Sequence, residues 1–254
     1  MTTSTAAARP RPRLVAILAY TLQSCLPPRR WAALIAASSA ALLFGLLSRA
    51  VEAPTADRAF ANVAAEAILG LVVPIAALVV GDAVLGAEVR SGTFLFTWMS
   101  PAPTWQIVLG RWLGGSLVAL VTIAPAAALA AVVAGSRDGI VPVLIAAAVE
   151  SVSYVAIFIA VGCLTRRTAV WSLALVFFVE RLLGAALTGI AQLSPTWESR
   201  AVFVAFLDDP PPRLERAGIP DGGAAIVRLA VVSAVALAVA AWRMRHLRLS
   251  GAAD

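Results

Sequence analysis

The sequence predicts an all-α membrane protein with six transmembrane helices, on three observations. Of its 254 residues, 61% are hydrophobic and 13% charged, with a mean hydropathy of +0.89, whereas soluble domains are about half apolar and about a quarter charged. The apolar residues fall into six blocks, each near the roughly 17–25 residues that carry a helix across a hydrocarbon core. All twenty basic residues are Arg, and most sit at block ends, where they act as topology signals.

Taken in order, residues 1–13 are rich in Ala, Thr, Pro and Arg and are expected to be a disordered tail; they lack the apolar core and cleavage site of a signal peptide. Over 14–28, Leu14, Ile17, Leu18, Thr21, Leu22 and Cys25 recur at helical spacing until Pro27-Pro28-Arg29-Arg30 breaks the run. This spacing predicts an amphipathic interfacial helix. The six-span domain occupies 29–248, with spans at about Trp31 to Leu47, Val63 to Leu85, Ile107 to Val133, Ile140 to Leu164, Val170 to Leu187 and Ala224 to Trp242, and 249–254 form a C-terminal tail. Pro125 is a candidate kink in the third span. In the long connection before the last span, Trp197, Val202, Phe203, Phe206 and Leu207 lie beside Glu198 and Arg200, ahead of Asp208-Asp209-Pro210-Pro211-Pro212. That pattern predicts a short external helix dipping into the outer leaflet.

With the N-terminus inside, twelve Arg (9, 11, 13, 29, 30, 90, 111, 166, 167, 243, 245 and 248) fall on cytoplasmic segments and six (49, 58, 137, 200, 213 and 216) outside, while Arg181 and Arg228 lie within spans. This asymmetry predicts both termini in the cytoplasm. The all-Arg usage fits a GC-rich bacterial genome, hence the cell membrane. Without Lys there is no Gly-Lys-Ser/Thr phosphate loop and no Schiff-base Lys, so the chain is not itself expected to be an ATPase or any other enzyme. Nucleic-acid binding is not expected from Arg placed at membrane boundaries. Cys25, Cys163 and His246 have no metal-ligand spacing, and both thiols are expected to be reduced and structural.

Between the second and third spans runs Glu88-Val-Arg-Ser-Gly-Thr-Phe-Leu-Phe-Thr-Trp-Met-Ser-Pro-Ala-Pro-Thr-Trp-Gln-Ile-Val-Leu-Gly-Arg111. It has a charged start, a Thr93 that can cap a short helix, an apolar and aromatic middle in Phe94, Phe96, Trp98 and Met99, and a turn bounded by Pro101 and Pro103. A soluble partner could grip such a knob.

This segment resembles the permeases of type-2 ABC transporters, in which an acidic cluster, Gly-Thr, a short helix, a Ser/Thr-Pro turn, a Trp and a Gly-Lys or Gly-Arg open the third span. The matching positions are Glu88, Gly92, Thr93, Ser100, Pro101, Trp105, Gly110 and Arg111. Arg90 departs from the pattern, standing where a second acidic residue is common, and Leu95-Phe96-Thr97-Trp98 is more apolar than usual. The resemblance implies a cytoplasmic coupling helix that docks an ABC ATPase dimer through Glu88, Arg90, Gly92, Thr93, Phe96, Trp98, Pro101 and Trp105. It also implies a homodimer, or a heterodimer with a second permease, around a translocation route, with ATP and Mg held by the partner ATPase and no cofactor in this chain. The substrate would be hydrophobic or amphipathic, such as a drug, an antibiotic or a lipid, moved outward.

Among the charges within predicted spans, Glu66, Glu150, Glu180 and Arg181 are candidates for an intramembrane pair or a translocation route. Such groups must be paired or hydrated and mark routes or fasteners. Glu150 lies roughly 15 Å and Arg181 roughly 13 Å from the outer ends of adjacent antiparallel spans, which predicts a Glu150–Arg181 pair. These carboxylates also define an alternative class, an ion-coupled secondary transporter.

Overall fold

The computed structural model describes residues 13–25, 27–88, 102–165, 167–178, 194–215 and 221–246. It is helical, with no strand among the described residues. Five helices are long and apolar enough to cross a membrane. They are α2 (Pro28–Ser48), α3 (Ala56–Gly86), α4 (Thr104–Ala134), α5 (Ile140–Leu164) and α9 (Gly222–Arg245). Shorter helices complete the set: α1 (Arg13–Cys25), α6 (Thr168–Phe178), α7 (Pro195–Ala205) and α8 (Pro212–Glu215). The expected fifth span is described only as far as residue 178; its remainder lies outside the described residues.

Local chemistry sets the helix ends. Pro28 opens α2 at its first turn, where a missing N–H costs nothing. Thr55 caps α3 by accepting the amide of Arg58 at 3.2 Å, and Asp57 adds a negative charge to the same turn. α3 therefore starts a full two turns before its apolar stretch, because a cap rather than hydrophobicity defines its first residue. α4 runs unbroken through Pro125 and stops at Gly135, whose φ of +80° gives the left-handed turn that ends a helix. Ser194 and Asp221 cap α7 and α9 by accepting the amides of Trp197 and Ala224. Within α3, Ala64–Val72 and Asp82–Gly86 are π-helical, and Pro74, which lacks an amide to bond the preceding turn, lies two residues past the end of the first of these.

α5 is the central helix, packed by α3, α4, α6, α7 and α9. Two-thirds of the apolar windows of α3 and α5 are buried, against 22% for α2 and α9, so the latter two present most of their surface outward. Lipid tails are as apolar as the helices, so association relies on close approach over small side chains. The buried set is accordingly rich in Ala, including Ala41, Ala119, Ala127, Ala130, Ala146 and Ala147. The glycines of α4 work in this way. A Cβ at Gly110 would meet Ile17 at 2.7 Å and one at Gly114 would meet Thr21 at 2.8 Å, so α1 lies directly against this stripe.

Two sets of contacts define the ends of the bundle. At one end Arg58 makes a two-bond pair with Asp209, at 2.8 and 2.9 Å, and the amide of Asp138 donates to Asp57. These tie the α2–α3, α4–α5 and α7–α8 connections together. At the other end Arg245 donates to Thr104 at 3.1 Å, and Arg30 donates to the carbonyl of Ser24.

Candidate functional site

The first site lies where α3 ends and α4 begins. Glu88 is the last described residue before the 89–101 segment, and Arg111 sits two turns into α4. Their side chains, 10% and 2% exposed, form a fork-to-fork pair with both N···O distances at 2.8 Å. Arg111 also donates to the carbonyl of Val84, and its guanidinium lies 5.5 Å from the ring centroid of Tyr20 on α1. Burial and then the charge of Glu88 push the Tyr20 phenol above its ordinary value. Three chain segments thus meet at one buried cation, which Arg serves better than Lys because its planar fork satisfies a carboxylate, a carbonyl and a ring face together.

The second site is built by α7. Thr196 donates to Glu150 of α5 at 3.2 Å and shares a 2.7 Å hydrogen bond with the hydroxyl of Tyr154. Glu198, 1% exposed, takes a 3.1 Å bond from Arg228 of α9. Arg200 pairs with Glu66 of α3 at 3.0 Å and donates through Nε to the carbonyl of Ala65 at 2.8 Å. Ala65 belongs to the first π segment, whose backbone bonds run i to i+5, and its carbonyl takes the Arg200 N–H as well. One eleven-residue helix is therefore fastened to three others by alternate residues 196, 198 and 200.

The same contacts fix how far α7 reaches. Glu150 lies ten residues into α5, about 15 Å from its Ile140 end. Thr196 stands at that depth, and the chain then returns past Arg200 to the Arg58–Asp209 end. The helix is packed inside the bundle as deep as Glu150, and Glu198 and Arg200, counted by sequence among the charges of an outer connection, are instead bundle charges.

Of the residues singled out from sequence, Glu88 and Arg111 are brought together, and Trp105 is 46% exposed at the start of α4. Arg90, Gly92, Thr93, Phe96, Trp98, Ser100 and Pro101 lie outside the described residues, as do Glu180 and Arg181, and with them the expected Glu150–Arg181 pair. Glu66 and Glu150 are both bound to α7, through Arg200 and Thr196. Sequence reasoning missed Tyr20, Tyr154, Thr196 and the Glu198–Arg228 pair. The last had a signal: Arg228 falls inside an apolar span, and an intramembrane Arg requires an acidic partner at similar depth.

The described residues contain no group of three or more His, Cys, Asp or Glu able to hold a metal ion. Cys25 and Cys163 are buried free thiols, and burial raises the Cys25 thiol above its ordinary value, which keeps it protonated and inert. No family model and no curated protein matches the chain. The specific part of the likeness to type-2 ABC permeases is therefore the 88–111 motif read from the sequence.

Proposed function

We propose that this chain is the membrane-spanning permease subunit of an ATP-driven exporter of the type-2 ABC class. In this reading it crosses the cell membrane of a bacterium six times, with both termini in the cytoplasm, α1 at the inner interface and the 89–101 segment forming the coupling helix. It works as a dimer with a separate ABC ATPase pair that binds ATP and Mg. The observation that carries the reading is the Glu88–Arg111 pair. It clamps together the two ends of the segment that resembles a coupling helix, so a push on that segment reaches α3 and α4 as one body. Close packing of Gly110 and Gly114 on α1 extends this body to the interfacial helix.

The substrate is a hydrophobic or amphipathic molecule, such as a drug, an antibiotic or a lipid, in keeping with spans that carry few polar residues. An ion-coupled carrier would need a carboxylate that exchanges its counter-ion. Glu66 and Glu198 instead each face an Arg on another helix, which favours fastening over ion exchange.

The decisive experiment is reconstitution in liposomes with and without the candidate ATPase. The chain alone should hydrolyse no ATP, the pair should hydrolyse ATP and move substrate, and Gly92→Trp should leave insertion intact while uncoupling transport from hydrolysis. Transport by the chain alone, driven by a proton or sodium gradient, would overturn the reading.

A further inference from the structure

Glu66 is a charge of the bundle that stands half open on the outside of α3. Its side chain is 46% exposed, although it is already paired with Arg200, itself 14% exposed. It lies eight residues along α3 from Arg58, about 12 Å below the Arg58–Asp209 pair that marks the hydrated end. A carboxylate half-open at that depth cannot face acyl chains; it needs water or protein.

Its surroundings on α3 are equally selective. The incompletely buried positions Asn62, Glu66, Leu71, Ile75, Val79 and Asp82 follow one another at three- to five-residue steps. The five-residue step from Glu66 to Leu71 falls inside the π segment Ala64–Val72, whose wider turn keeps both residues on one face. The result is a single strip, polar at both ends and apolar in the middle, on a helix otherwise two-thirds buried. A purely lipid-facing strip would not carry a carboxylate as open as that of Glu66.

We propose that this strip docks a second copy of the chain. Across a two-fold axis Glu66 and Arg200 would face the partner's Arg200 and the partner's Glu66, a self-complementary arrangement that closes after two copies and satisfies all four charges without bulk water. The apolar middle, around Leu71 and Ile75, packs against its own symmetry mate. The inference deepens the permease reading and rests on it for the existence of a working dimer.

The test is disulfide cross-linking of the full-length protein in native membranes, without the ATPase, in a Cys25→Ala, Cys163→Ala background. Leu71→Cys and Ile75→Cys on the strip should give a cross-linked band of twice the chain's mass. Val121→Cys, 66% exposed on α4, should not. A dimer that forms only through Val121→Cys, no cross-link at any position, or a band of any other mass overturns the proposal. The charge cluster is tested by adding Glu66→Arg or Arg200→Glu to Ile75→Cys. Each variant alone should lose most of the dimer, and differently tagged copies of the two, expressed together, should recover it as the mixed pair. An unchanged yield in the single variants, or no recovery in the mixture, overturns the four-charge arrangement. The two readings fail separately. A dimer that cross-links on the strip but supports no ATP-dependent transport counts against the permease, whereas transport-competent protein that never cross-links there overturns this interface alone.

Discussion

Arg111 and Glu88, twenty-three positions apart, hold each other through two parallel bonds of 2.8 Å in a site closed to solvent. The pair therefore joins the last described residue of α3 to the second turn of α4. Removing charges from water is costly, and such a pair persists only when its remaining donors and acceptors are also met. Here the Val84 carbonyl accepts a further guanidinium N–H, and the Tyr20 ring lies against the cation.

Breaking this pair from one side should be strongly destabilising. Arg111→Met leaves a buried carboxylate, and Glu88→Gln leaves a buried guanidinium; each should cost about 3–5 kcal/mol. The double variant should be less damaged than the sum of the two. Thermal unfolding of the detergent-solubilised protein measures all three, and additive losses would show that the residues do not interact.

Thr196 should be the most sensitive hydroxyl in the bundle. Thr196→Val keeps the shape but removes the bonds to Glu150 and Tyr154, taking a donor from the buried Glu150 carboxylate and an acceptor from the buried Tyr154 hydroxyl at about 1–3 kcal/mol. Thr196→Ser should retain most of the stability. Equal melting temperatures for the Val and Ser variants would mean that the hydroxyl does not fasten α7.

The Arg58–Asp209 tie should loosen in acid. The hydrogen bond from Arg58 holds the Asp209 carboxyl below its ordinary value of 3.8. A depressed carboxyl favours the folded tie at every pH above its unfolded value, and that contribution disappears as pH falls through the lower folded value. Asp209 is exposed, so the effect is local and screened by salt. Amides at the start of α3 should lose protection, measured as exchange relative to the intrinsic rate at each pH, below about pH 4, and Asp209→Asn should abolish that loss. Protection that is flat with pH in the parent protein would contradict it.

The membrane character, the helical class and the positions of the long helices were legible in the sequence, because a bilayer demands about twenty apolar residues per crossing and forbids unsatisfied backbone. The fourth expected span, Ile140 to Leu164, matches α5 residue for residue, since charged and polar residues bound it closely on both sides. The second is less well matched: α3 begins at Ala56, not Val63, because Thr55 and Asp57 make a good helix start in a stretch that hydropathy alone rejects. That Gly110 and Gly114 pack on α1 was not legible, because no local pattern names the helix that approaches a small-residue face.

By itself the sequence determined where apolar length and turn chemistry place the helices, and which charges, by lying inside apolar blocks, had to find partners. Only the tertiary structure decided who those partners are. Glu88 and Arg111 read as two letters of one motif, and the fold makes them a buried clamp. Glu198 and Arg200 read as outer-loop charges, and the fold carries them inward on α7 to meet Arg228 and Glu66. The physical reason is one of range. Propensity, capping and hydropathy act over a few residues and are written locally, whereas an ion pair forms within about 4 Å in space between residues 23, 30 or 134 positions apart, a proximity that only the packing of whole helices sets.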